Sequence, residues 1–113
     1  MNDERRSASR KPSSAPIEVT DTISGETIGR VGNLSRTGML LICHRPLNDN
    51  ALYQLRFRLP DPFGAQSEIE TGVHTMWTEQ ASTDGYQWSG LRIISISGRA
   101  AASLDKWLEH GRG

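Results

Sequence analysis

The run YQLRFRL at residues 53–59 places an apolar side chain at every odd position and a polar one at every even position. Successive side chains of an extended strand point to opposite faces, so this pattern buries one face and wets the other. In a helix the same residues would be spread around the whole circumference. The period of two returns in residues 68–77, with Ile69, Val73 and Trp77 on the inward side, and again in residues 86–96. Shorter stretches fit the same reading. Ile17 and Val19 open a strand over residues 17–21, and Ile28 and Val31 are the core candidates of another over 27–33. The continuous apolar run at 39–44 reads as a strand covered on both faces. Turn residues separate these segments: Ser24-Gly25, then Pro60, Pro62 and Gly64, then residues 82–85. Gly29 and Gly32 lie inside a strand segment, which predicts a bulge or a close backbone approach, and Gly90 inside the last strand predicts a bulge.

The end of the chain changes period. Ala101, Leu104, Trp107 and Leu108 share one face at three- and four-residue spacings, predicting a helix over residues 99–110. Ser97 can cap it and Gly111 can stop it. Burying Leu104, Trp107 and Leu108 against an open end or face of the sheet would contribute roughly 1.5–3 kcal/mol each. The expected architecture is all-β: a small antiparallel β-barrel of six to seven strands with a C-terminal α-helix. It occupies residues 17–113. Residues 1–16, MNDERRSASRKPSSAP, hold no large apolar residue beyond Met1 and read as a flexible arm.

With 113 residues the chain suffices for one domain that needs no disulfide or metal to hold it. The formal net charge is zero, which argues against a binder of long nucleic acid but leaves room for a local cationic site. The single cysteine, Cys43, lies in an apolar run and reads as a small buried hydrophobe rather than a catalytic thiol. No apolar run reaches the 18 or so residues of a membrane span. The first residues lack the apolar segment of a secretory signal, so the expected setting is cytoplasmic. His44, His74 and His110 have no metal-ligand spacing, and His74 alternates outward. Neither a nucleophile elbow nor a phosphate-binding Gly-rich loop occurs. Glu68 and Glu70 share an outer strand face, which is ordinary. No catalytic residue and no metal ligand is assigned, and the chain is read as a non-enzyme.

Two polar segments stand out. RRSASR at residues 5–10 holds Arg6 and Arg10 four apart, with Arg5 just before them. NLSRTG at residues 33–38 collects an amide, a hydroxyl and a glycine in one turn. Asn33 and Ser35 can bond a base edge, a sugar or a phosphate. Gly38 permits a positive φ or the close approach of a ligand. The same residues could equally make local turn bonds.

Taken together, Arg6-x-x-x-Arg10, Asn33-x-Ser35-x-x-Gly38 and the late Gly90-Leu91-Arg92-Ile93 resemble the PilZ domain family, over roughly residues 5–110. The family is a small antiparallel barrel that binds the bacterial second messenger cyclic di-GMP. The resemblance implies ligand contacts from Arg6 and Arg10 to phosphates and guanine edges, and from Asn33 and Ser35 to one guanine and the adjoining backbone. Gly38 would keep the turn's shape. Arg5 adds a cation suited to a stacked ligand dimer, implying two cyclic di-GMP molecules per domain. Arg92 and Trp77 are further candidates to flank the pocket, although Trp77 is inward by alternation. Arg36 reads either as a phosphate contact or as a solvated side chain. One departure is KPSSAP, residues 11–16, which intervenes before the first strand.

The resemblance implies a receptor or adaptor with no further cofactor. It would change its N-terminal surface on binding and act on a regulatory protein partner, in motility, pili or biofilm formation. Two other readings stay open. One is a PilZ-fold interaction adaptor without effective nucleotide binding. The other is a barrel that binds single-stranded nucleic acid, which needs exposed aromatics and a basic groove.

Overall fold

The computed structural model describes residues 16–60, 65–81 and 85–111. Six strands and one helix follow in order: β1 (Glu18–Asp21), β2 (Glu26–Leu34), β3 (Gly38–Cys43), β4 (Leu52–Pro60), β5 (Gln66–Gln80), β6 (Gln87–Ile96) and α1 (Gly98–Gly111). The strands close into an antiparallel barrel in the order β1-β2-β3-β6-β5-β4. Closure leaves the joint between β1 and β4 short: it has two register pairs, Thr20 with Arg56 and Asp21 with Leu55.

The period of two fills the barrel as expected. Leu55, Phe57 and Leu59 of β4 point inward and are buried, as are Ile69 and Val73 of β5 and Val19 of β1. Met39, Leu41 and Cys43 supply the matching side chains from β3. The run at 39–44 is covered on one face only. Leu40 and Ile42 lie half-buried outside, because α1 packs on β5 and β4 and leaves β3 unroofed.

The glycines of β2 do what their positions predict. At Gly29 a Cβ would run into the carbonyl of Ile42, so the backbones approach closely there. Gly32 is the extra residue of a bulge between Val31 and Asn33.

Ser97 caps α1: its Oγ accepts from the Ala100 N–H at 3.1 Å, and its carbonyl takes the first helical bond from Ala101 at 2.9 Å. The buried side of α1 is Ala100 and Leu104, with Trp107 and Leu108 partly covered. Ala101, expected on that side, is only half-buried, because the helix is rotated toward Ala100. No helix among the described residues is long and apolar enough to cross a membrane.

Candidate functional site

The turn between β2 and β3 is built by Ser35. Its N–H donates to the Gly38 carbonyl at 2.9 Å, and its hydroxyl donates to the same oxygen at 3.2 Å. The hydroxyl oxygen in turn accepts from the Gly38 N–H at 3.2 Å and the Thr37 N–H at 3.3 Å. Ser35 is therefore the frame of the turn. Gly38 has no positive φ; its role is close approach, since a Cβ there would press on the Leu91 carbonyl across the β3–β6 ladder.

Asn33 is different. It is exposed, and its side chain makes no hydrogen bond to another described residue. Register places it on a row that crosses four strands on the outer wall: Asn33 opposite Leu40, Leu40 opposite Gly90, Gly90 opposite Trp77.

Trp77 corrects the inward assignment. Along β5, Thr75 pairs with Leu91 and Trp77 with Gly90, so Met76 is an extra residue in the ladder. This bulge reverses the alternation, and Trp77 leaves the core with 44% of its surface exposed. Thr75 keeps the inward position and is fully buried. Gly90, expected to be a bulge itself, is the residue facing this one. A Cβ at Gly90 would collide with the Trp77 indole, so the missing side chain lets the ring lie against the strand.

One row farther along the strands, Arg92 stands opposite Gly38 on one side and His74 on the other, and its side chain is exposed. His74 is held by the Asn50 Oδ1 at 2.6 Å, and Asn50 sits at φ 56° at the end of the preceding loop. The outer wall thus carries, within two adjacent rows, an amide with no partner among the described residues, an exposed indole and a guanidinium.

Arg36 is exposed but not free. Its Nε lies 2.8 Å from Asp105 Oδ1, which ties the turn to α1. Between them runs a cleft of about 500 Å³ lined by Leu34, Ser35, Arg36, Asp105, Leu108 and Glu109. Arg5, Arg6 and Arg10, the arm that carries them, and the loops at 61–64 and 82–84 lie outside the described residues. The structure therefore sets Asn33, Gly38 and Arg92 on neighbouring strands β2, β3 and β6, with Ser35 shaping the turn, and places Trp77 one strand farther round the barrel on β5.

Cys43 is buried, and burial pushes its thiol pKa above the ordinary value, with a weaker opposing pull from the Ser89 hydroxyl at 3.5 Å.

Comparison with known proteins agrees with this geometry. Among solved structures, the Bacillus subtilis inhibitor of motility MotI/DgrA superposes with a TM-score of 0.68 at 16% identity, over 96% of this chain. This chain spans about half of that one, 49% of its length. No curated protein matches the sequence. The family model of the PilZ domain matches residues 4–110, a span that takes in the arginine segment, the whole barrel and nearly all of α1, and the chain belongs to the PilZ domain family.

Proposed function

We propose that this chain is a receptor domain for cyclic di-GMP that acts through a protein partner rather than by catalysis. The observation that carries the reading is the β2–β3–β6 wall: Asn33, whose amide has no partner among the described residues, stands opposite Leu40, and Arg92 stands opposite Gly38 one row on, with the exposed indole of Trp77 one strand beyond on β5. Such a wall suits a ligand with flat purines and two phosphates. The amide bonds a guanine edge, guanidinium groups meet the phosphates and the guanine O6/N7 edge bidentately, and the indole offers a face for stacking at the β5 side of the wall.

Arg6 and Arg10 are assigned to the ligand by the family motif, and Arg5 to a second stacked molecule. Charge-assisted bonds of this kind contribute about 1.5–3 kcal/mol each. Ordering about eight arm residues costs roughly 1–2 kcal/mol apiece. A micromolar complex has only about 8 kcal/mol in hand, so several arginines must act together as the arm closes. The closed arm presents a new surface to a partner. Motility is the favoured output, since the structural neighbour is named an inhibitor of motility; pili and biofilm formation are related outputs of the same kind. The setting for such signalling is the cytoplasm.

Isothermal titration with cyclic di-GMP tests this. Binding at micromolar or tighter is expected, with two ligands per domain falling to one in Arg5→Ala. Arg10→Ala should weaken binding at least tenfold while the melting temperature of the free protein stays put. Amide exchange of residues 1–16 should slow on binding. No heat at millimolar ligand would overturn the proposal and leave the adaptor reading. The exposure of Trp77 and Trp88 removes one argument against single-stranded nucleic acid, so a competing oligonucleotide belongs in the titration. Displacement of the dinucleotide by a short oligonucleotide would favour that reading instead.

A further inference from the structure

The turn that carries the family motif is tied to α1 by an ion pair. Arg36, the residue after the framing Ser35, sets its Nε 2.8 Å from Asp105 Oδ1. Among the described residues this is the one ion pair that α1 makes. The body of the helix packs elsewhere, on β5 and β4. Glu109, four residues on from Asp105 and on the same side of the helix, lines the same cleft, so two carboxylates stand beside the turn.

The pair is built to be given up. The Arg36 side chain is 74% exposed and that of Asp105 41%, and an ion pair in such contact with water is weak. A phosphodiester offers a guanidinium the same charge and the same bidentate fit as a carboxylate. A ligand already held by other contacts can therefore take Arg36 at little cost. The turn need not move for this exchange. Ser35 fixes its backbone through bonds to the Gly38 carbonyl and from the Thr37 and Gly38 N–H groups, so only the Arg36 side chain swings.

On the cyclic di-GMP reading of the wall, on which this rests, we infer that Arg36 is a shared cation. Asp105 holds it in the free chain, and a ligand phosphate takes it in the complex. Asp105 is then a positioning residue that opposes binding without touching the ligand. By linkage, the ligand releases the second half of α1 from the turn.

Isothermal titration of the full chain with cyclic di-GMP at low salt tests it, on the wild type, Asp105→Asn, Arg36→Gln and both together. Asp105→Asn should tighten binding about threefold, within the range of an exposed ion pair, and Arg36→Gln should weaken it by about that much or more. The double variant should bind as Arg36→Gln does, since Asp105 acts only through Arg36. A carboxylate that repelled the ligand directly would act in both backgrounds. Amide exchange of residues 105–109 should quicken on binding in the wild type and stay level in Asp105→Asn. A wild type that binds no dinucleotide overturns the reading of the wall and this inference with it. A wild type that binds, with Asp105→Asn either unchanged or equally tightened whether or not Arg36 is present, overturns this inference alone.

Discussion

Gly90→Ala is the sharpest test of how the wall is built. The added methyl would occupy the space of the Trp77 indole, so the ring must lift from β6. Trp77 is 44% exposed, so a little over half of its surface is covered. An indole side chain covers roughly 150–250 Å² when buried, and about half of that at 25 cal/mol per Å² gives about 2–3 kcal/mol. Residual burial in the unfolded chain and partial repacking of the lifted ring bring the expected loss to about 1–2 kcal/mol. For a domain of this size that is a fall in melting temperature on the order of 5–10 °C. The assay is a double-mutant cycle: Gly90→Ala, Trp77→Ala and both together, by thermal and denaturant unfolding. Once Trp77 is gone, alanine at 90 has nothing to displace, so the two losses should not add. Indole emission should shift to the red in Gly90→Ala by the contribution that Trp77→Ala removes. Full additivity, or a wild-type emission spectrum in Gly90→Ala, would show that the glycine does not seat the ring.

Other outcomes follow from single contacts. Ser97→Ala removes the cap of α1 and should cost about 1 kcal/mol, read by urea unfolding, with Asp at the same position restoring most of it. Asn50→Ala both loses the bond to His74 and leaves a β-carbon at positive φ; a loss of about 1–2 kcal/mol is expected, with Asn50→Gly recovering part. The Cys43 thiol is raised by burial, so the unfolded chain ionises first as pH climbs. Its contribution is therefore full below the ordinary thiol pKa and declines as pH rises toward the folded value. Cys43→Ala should flatten the alkaline side of the stability profile, and the native thiol should react with a disulfide reagent only as the protein unfolds.

The fold was legible wherever the chain kept one rule for several residues. Residues 53–59 alternate without interruption, and β4 buries the side chains that the alternation names. Ser97 and the helical face after it likewise carry their own chemistry. The rule broke at Met76. A single inserted residue changes no composition and leaves Ile69, Val73 and Trp77 in apparent phase, yet it turns Trp77 outward. The readable signal was Gly90: a glycine in a strand marks something lying close, and here it is the indole. Leu40 and Ile42 misled for another reason. Apolar character suggested cover on both faces, but cover depends on where α1 lies, and that is set by residues far along the chain. For the turn, sequence supplied the donors of Asn33 and Ser35 but not their division of labour, in which Ser35 is spent on the backbone and Asn33 makes no side-chain bond to another described residue.

The two-pair joint between β1 and β4 sets where this barrel yields first. Every other strand is fastened to its neighbours by longer ladders. Separating Thr20 from Arg56 and Asp21 from Leu55 breaks the fewest bonds of any parting of the wall, so small breathing motions concentrate there. A pull on the residues just before Glu18 is taken first by β2, where the Val31 N–H donates to the Ile17 carbonyl, and reaches that joint through β1. Tension or slack at the start of the chain is thus translated into the hoop's own rigidity, with no hinge required.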